Sequence, residues 1–339
     1  MKNIVQGSLI TTYRCNAKCQ MCEIWKYPTM PSEELDPKYY EKLPDGLRIN
    51  ITGGEPMLRD DIEDIFKILH PKASLLELST NGYYTDRIVR LAELYPDILI
   101  RVSLEGLPAL NDWLRGTKDG FDHALRTVLR LKKTPCKNIG FSIVIRDKNA
   151  DDLIELYDLC CSLGVELGNS VMHNSWYFHK TDNAIDDREK AVKKEIEFTR
   201  ALLQSKRKGF KNKLKDYGRA YFNKSIIKRF DGHVTDYRPS CGAGIDFFFV
   251  DPWGNVSPCN GSDEEWVMGN IKEAAFEDIM ASALAREVMK KVKDCRKDCC
   301  FIVTERHDMV RRPWKPIWWV LKNKLQIALN MPVNLIDES

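Results

Sequence analysis

Leu47-Arg48-Ile49-Asn50-Ile51-Thr52 alternates apolar and polar residues with period two and stops at Gly53-Gly54, the pattern of a half-buried strand running into a turn. The period then changes. Asp60 to Leu69 sets Ile62, Ile65, Phe66 and Leu69 on one helical face. The cycle recurs along the chain: strand at Leu75 to Thr80, helix at Ile88 to Leu94, strand at Ile98 to Leu104, helix at Phe121 to Leu131, strand at Ile139 to Ile145, helix at Leu153 to Leu163, strand at Val165 to Val171. Upstream, Ser8-Leu9-Ile10-Thr11-Thr12 reads as a first strand that leads into Cys15. Strand–helix alternation builds a parallel sheet with crossover helices. Six such units fit a partial α/β barrel or a doubly wound sheet, and in both folds ligands gather at the carboxyl ends of the strands.

Composition narrows the class. The 339 residues carry 52 Lys and Arg against 49 Asp and Glu, a net charge of +3, so no nucleic-acid partner is expected. Neither Phe247–Val250 nor Ile317–Leu321 approaches the roughly 20 apolar residues of a spanning helix. Met1 to Gly7 has no apolar stretch of the secretory kind, which points to the cytoplasm. Eleven cysteines in that setting speak for metal or redox chemistry rather than disulfides. Cys136, Cys160 and Cys161 lie in apolar-patterned segments and read as small core side chains.

Cys15-Asn16-Ala17-Lys18-Cys19-Gln20-Met21-Cys22 is C-x3-C-x2-C on the loop after the first strand. Three thiolates this close can wrap one face of a metal cluster but cannot complete a four-ligand site, and no fourth Cys or His lies nearby in sequence. A cluster held by three cysteines keeps one iron open to an outside ligand, whereas closed clusters use four. A zinc site completed by a distant residue is the plainer alternative. At the end of the second strand, Gly53-Gly54-Glu55-Pro56 lets backbone approach a ligand closely, and Glu55 can take an ammonium.

Together these motifs resemble the radical S-adenosylmethionine (SAM) superfamily. Thr80-Asn81-Gly82, Ser103-Leu104-Glu105-Gly106, and Arg115-Gly116 followed by Gly120-Phe121-Asp122 are similar to further stretches of that family. The likeness covers about residues 5–200 and implies a partial (β/α)6 barrel of the TIM type. It also implies roles. Cys15, Cys19 and Cys22 would ligate a [4Fe-4S] cluster whose open iron takes the SAM amino and carboxylate groups. Gly53, Gly54 and Glu55 would hold the amino group, Ser103 and Glu105 the ribose, and Arg115 the carboxylate, with Asn81 in the same pocket. Met21 stands where the family often has an aromatic residue near the adenine.

The later cysteines form a second constellation. Cys241, Gly254 and Cys259 give C-x12-G-x4-C around Phe247 to Val256, which reads as a hairpin turning at Asp251-Pro252-Trp253-Gly254. A helix is expected from Ala274 to Lys291, followed by Cys295, Cys299 and Cys300. This resembles the small cysteine-rich α+β SPASM/Twitch extensions of radical SAM enzymes, although a full SPASM domain has more cysteines. The expectation is one auxiliary [4Fe-4S] cluster on Cys241, Cys259, Cys295 and Cys299, with Cys300 the other choice for the last ligand and a zinc knuckle the alternative. The chain accordingly divides into a core over 1–205, a linker or solvated helical connection over 206–236, the auxiliary-cluster domain over 237–305 and a basic, Trp-rich tail over 306–339.

The resemblance implies that one electron, from a flavodoxin- or ferredoxin-like protein, enters the first cluster and cleaves SAM to methionine and a 5′-deoxyadenosyl radical. That radical abstracts hydrogen from a substrate the sequence does not name: peptide, sugar, nucleotide or lipid-linked intermediate. His173 and Tyr177, in the segment after the sixth strand, are the substrate-side candidates, against a plain loop. The tail, Arg311 to Leu329, is basic with three tryptophans. It fits either a peripheral contact with the inner membrane face or a helix packed on the barrel that buries the same tryptophans. The competing view of the whole chain is a non-catalytic iron–sulfur or zinc protein, which would bind metal but never cleave SAM.

Overall fold

The computed structural model describes residues 4–232, 241–262, 264–295, 297, 299–331, 333 and 335–336. Its strands are β1 Gln6–Ile10, β2 Arg48–Thr52, β3 Leu75–Thr80, β4 Leu99–Ser103, β5 Asn138–Ile145, β6 Glu166–Val171, β7 Phe247–Val250, β8 Asn255–Ser257 and β9 Gly269–Asn270. The helices of the first half are α1 Ile62–Leu69, α2 Thr85–Leu94, α3 Pro108–Arg115, α4 Gly120–Leu131 and α5 Leu153–Leu163. Those of the second half are α6 Arg188–Leu203, α7 Phe210–Phe230, α8 Phe276–Ala281, α9 Ala283–Asp294, α10 Ile302–Arg311 and α11 Trp314–Ala328. The chain separates into two compact units, one of residues 1–143, 173–183 and 242–297, the other of 144–172, 184–241 and 298–339.

In the first unit β1, β2, β3, β4 and β5 pair in parallel in chain order, from Gln6 opposite Arg48 to Leu99 opposite Asn138. Neighbours in space are therefore neighbours in sequence, the ordering of a barrel wall rather than of a sheet wound in both directions. The apolar spacing of α1 does what its sequence requires: Ile62, Ile65, Phe66 and Leu69 are all buried. β4 is enclosed along most of its length, with Leu99 to Val102 buried.

The hairpin expected in the C-terminal module forms, as β7 and β8 in antiparallel register around Asp251. Asp251 Oδ1 accepts the N–H groups of Trp253 and Asn255, each at 2.9 Å, which closes the turn. β7 pairs in parallel with β1, Gln6 opposite Phe247 through Leu9 opposite Val250, so this hairpin extends the core sheet. Phe247 to Val250 is apolar throughout and buried on both faces, as a strand inside a parallel sheet must be. The single helix expected from Ala274 to Lys291 is two, broken at Ser282, whose hydroxyl accepts the Ala285 N–H at 2.9 Å and caps α9.

The second unit holds β6 and five of the helices. Residues 233–236 of the expected connection lie outside the described residues, and 210–230 are not a linker: α7 is 21 residues long and buries Ala220, Tyr221, Phe222, Ile226, Ile227 and Phe230. Buried Asp216, Asn223 and Lys224 interrupt that face and blur its periodicity in the sequence. Asp216 is tied to Arg207 at 3.1 Å and to the Tyr157 hydroxyl at 2.9 Å, so the charge is paired where it is buried. Cys160 is fully buried, and in the first unit Cys136 is buried with its thiol directed at the Ile98 carbonyl, 3.4 Å away; both serve packing.

Candidate active site

The loop that follows β1 carries the three clustered cysteines and is pinned at both ends. Thr11 N–H reaches the Thr52 carbonyl at 2.9 Å, holding the loop's start to the end of β2. Further on, Lys18 N–H donates to the Arg115 carbonyl and Gln20 N–H to the Leu114 carbonyl, both at 2.9 Å. The cysteine loop thus lies on the last turn of α3. Gly116 ends that helix at φ +56°, and a Cβ there would come within 2.6 Å of the Lys18 carbonyl, so a side chain would push the loop away.

The three thiols sit near one another. Burial pushes the Cys15 and Cys22 thiols up to about 12 and raises Cys19 as well. Cys19 raises both of its neighbours further, and Cys15 raises Cys22, while Arg115 lowers all three. Among the described residues no three His, Cys, Asp or Glu side chains converge tightly enough for a single metal ion. A four-iron cube takes one thiolate on each iron and so needs its ligands farther apart. The donor set is soft, threefold and charge-compensated by a guanidinium, which fits such a cluster with one iron left open.

The glycine pair after β2 meets this loop face to face. Gly54 N–H donates to the Thr12 carbonyl at 2.7 Å and Glu55 N–H to the Arg14 carbonyl at 2.8 Å. A Cβ on Gly54 would stand 2.2 Å from the Arg14 carbonyl oxygen. Glu55 is fully buried. Its carboxylate accepts from Met57 N–H at 3.1 Å, the Thr80 hydroxyl at 2.7 Å and Asn81 N–H at 2.7 Å. It therefore binds the end of β2 to the end of β3. Asn81 continues the chain of contacts, its Nδ2 donating to Asn16 Oδ1 at 2.6 Å within the cysteine loop.

Ser103, the last residue of β4, is half-buried, and Glu105 just beyond it is buried. Glu105 pairs with Arg115 at 3.3 Å, and its N–H donates to Asn111 Oδ1 at 2.9 Å. Burial opposes the Arg115 charge, but Cys19, Glu105, Cys15 and Glu55 around it more than offset that and raise its pKa. The structure thus gathers Cys15, Cys19, Cys22, Gly53, Gly54, Glu55, Asn81, Ser103, Glu105 and Arg115 at the carboxyl ends of four adjacent strands. Met21 lies in the same loop, its carbonyl accepting from Asn183 Nδ2 at 3.1 Å.

On the substrate side the picture differs from the expectation. Tyr177 is fully buried; its hydroxyl meets Ser257 Oγ at 2.6 Å and accepts Trp266 N–H at 3.1 Å. It fastens the 173–183 segment to the β7–β8 hairpin, which leaves that phenol no free face for a substrate. His173 is half-buried and holds Asn183 through its own carbonyl at 3.1 Å. No sequence pattern singles out an aromatic group beside the cysteines. Tyr13 stands edge-on to Trp253 at 5.2 Å and to His179 at 5.7 Å, and His179 lies against Tyr27 at 4.2 Å. Tyr13, Ile10, Ile24, Tyr177 and Phe249 form a core on which Cys15 and Cys22 pack. Only the hairpin's return to β1 brings these rings together, and no local pattern announces that return.

Comparison with known proteins agrees with this geometry. The family pattern described as the radical SAM superfamily matches residues 9–160, the span that holds every residue of the pocket. The chain belongs to the radical SAM superfamily. A second pattern, SPASM, described as an iron-sulfur cluster-binding domain, matches residues 241–300. This radical SAM protein is similar to the pre-heme d1 synthase of Dinoroseobacter shibae, 27% identical over 79% of this chain and 71% of that one. It is also similar to the sporulation killing factor maturation protein SkfB of Bacillus subtilis, 22% identical over 86% and 68%. Its fold is shared by anSMEcpe, solved with AdoMet and a Cp18Cys peptide, at a TM-score of 0.61 and 18% identity over 87% of each chain. As a radical SAM enzyme with a SPASM domain it uses a [4Fe-4S] cluster, SAM and auxiliary iron–sulfur chemistry. Of the later cysteines, Cys259 and Cys295 are half-buried in the first unit; in the second, Cys241 and Cys299 are exposed and Cys300 is buried.

Proposed function

We propose that this enzyme cleaves SAM reductively and abstracts a hydrogen atom from an organic substrate, assisted by one auxiliary [4Fe-4S] cluster. The observation that carries the reading is the thiol triad gathered around the buried Arg115 at the strand ends. When bound, the first cluster and SAM supply one-electron cleavage of a sulfonium bond and a carbon radical. The chain's own residues bind and orient. Cys15, Cys19 and Cys22 would hold the cluster. Gly53 and Gly54 keep the backbone low enough for the amino-acid end of SAM. The Arg115 guanidinium, steadied by Glu105, would pair with the SAM carboxylate, to which a planar fork is suited. Ser103 and Glu105 would hold the ribose, with Asn81 bracing the cysteine loop through Asn16. The Tyr13, Trp253 and His179 rings pack beside the cysteine loop and help exclude water from it.

For the auxiliary cluster we assign Cys241, Cys259, Cys295 and Cys299, leaving the buried Cys300 to packing. Electrons would come from a flavodoxin- or ferredoxin-like partner. The names of the relatives and neighbours support two substrate classes to test first: a peptide, as bound by anSMEcpe, and a heme precursor, as with the D. shibae protein. Oxygen-free protein, reconstituted with iron and sulfide and reduced with dithionite, will form 5′-deoxyadenosine from SAM, and Cys19→Ala will fall to background. Iron will reach about eight per chain, and about four in Cys259→Ser. SAM that binds without being cleaved, or about four irons in the unaltered chain, would contradict the reading.

A further inference from the structure

Helix α11 has two faces with different surroundings. Trp319, Val320 and Asn323 are buried. Trp319 meets the Tyr221 ring edge-on at 5.6 Å, and Lys324 Nζ donates to the Leu203 carbonyl at 2.9 Å and the Tyr217 hydroxyl at 3.0 Å. These contacts seat the helix on α6 and α7. The opposite side is apolar and uncovered. Trp314, Ile317, Trp318, Leu321 and Leu325 are 63, 60, 62, 58 and 60% exposed, and helical geometry places them within an arc of about 120°. Leu329, equally exposed, continues the stripe. Packing therefore accounts for one of the three tryptophans and leaves two outside.

Single exposed apolar residues need no explanation, but a stripe of six on one helix does. Its charge setting narrows the partner. From Met309 to Ile336 the sequence holds Arg311, Arg312, Lys315, Lys322 and Lys324 and no Asp or Glu. Lys315 and Lys322 border the stripe, and Arg311 and Arg312 are exposed just before it. Trp side chains favour the boundary between headgroups and acyl chains, and basic residues are drawn to anionic lipid. No helix among the described residues is long and apolar enough to cross a membrane, and α11 has 15 residues, so the contact this face can make is in the plane of the surface.

We propose that the outer face of α11 docks this protein on an anionic bilayer. Trp314, Ile317, Trp318, Leu321 and Leu325 enter the headgroup–acyl boundary while the flanking cations face lipid phosphates. The test uses the full chain with vesicles of equimolar phosphatidylglycerol and phosphatidylcholine, and with phosphatidylcholine alone. The protein will sediment with the anionic vesicles, its tryptophan emission will shift to the blue, and added salt will weaken the binding. Trp318→Glu combined with Leu321→Glu will lower the partition coefficient at least about tenfold. Both side chains are exposed, so thermal unfolding and 5′-deoxyadenosine formation will be unchanged in that variant. The proposal is overturned if the unaltered chain stays in the supernatant, or if the double variant sediments as well as the original. It is equally overturned if light scattering shows a dimer that the variant abolishes while vesicles bind neither form, because the stripe then joins two copies.

Discussion

At Gly54 the backbone of the second strand's turn runs so close to the cysteine loop that a methyl group would overlap the Arg14 carbonyl at 2.2 Å. No flexible side chain stands there to give way, so the loop itself must move. Gly54→Ala is expected to lose the N-terminal cluster, leaving about half the iron of the unaltered protein after reconstitution, with far-ultraviolet circular dichroism unchanged. Iron retained in full would show that the close approach is not what places the triad. Glu195 offers a residue-scale prediction of another kind. It is fully buried on α6, neither carboxylate oxygen has a partner among the described residues, and burial pushes its pKa from 4.5 up to about 8. Between those two values the folded chain keeps a proton that the unfolded chain has released, so stability falls as pH rises through that window. Glu195→Gln carries no such proton and will flatten the dependence, by on the order of a few kcal/mol across the window. Urea midpoints measured at about pH 5 and about pH 8 check it; an equal slope in both proteins would remove Glu195 as the cause.

Among the elements, the 173–183 segment shows how a residue chosen for chemistry turns out to serve packing. Removing the Tyr177 hydroxyl in Tyr177→Phe strips Ser257 Oγ and Trp266 N–H of their buried partner. The expected cost is about 1–3 kcal/mol, read as a lower thermal midpoint with the iron content unchanged. An unaltered midpoint together with lost turnover would restore Tyr177 as a substrate residue. The sequence showed β1 to β6 and the crossover helices α1, α2, α4 and α5 through their periods, but not the short α3, and α1 kept its apolar face residue for residue. It hid α7 because buried Asp216, Asn223 and Lys224 sit on its inner face, paired or hydrogen-bonded in ways that only the fold supplies. It also ran α8 and α9 together, since nothing in the apolar spacing marks Ser282 as the cap that separates them.

On the scale of the whole molecule, the site was more legible than the organisation around it. A cofactor-binding loop must carry its ligands at short, fixed spacings, so Cys15, Cys19, Cys22 and the Gly53-Gly54 turn stood out before any fold was known. Glu105 and Arg115 were named from the resemblance though not as an ion pair, while Tyr13 and Trp253 lie far apart in the chain in unremarkable contexts. The attachment of the C-terminal module to the core was hidden for the same reason: β7 joins the sheet through its pairing with β1, a contact between residues some 240 positions apart. What the account finally depends on is a cluster with one vacant coordination position at the triad. Reduced, oxygen-free protein given SAM isotopically labelled in its amino and carboxylate groups will show hyperfine coupling of those labels to the cluster's electron spin, and Arg115→Lys will weaken the SAM dependence of that signal. A cluster spectrum that is indifferent to labelled SAM, with all its irons bound by protein side chains, would contradict it.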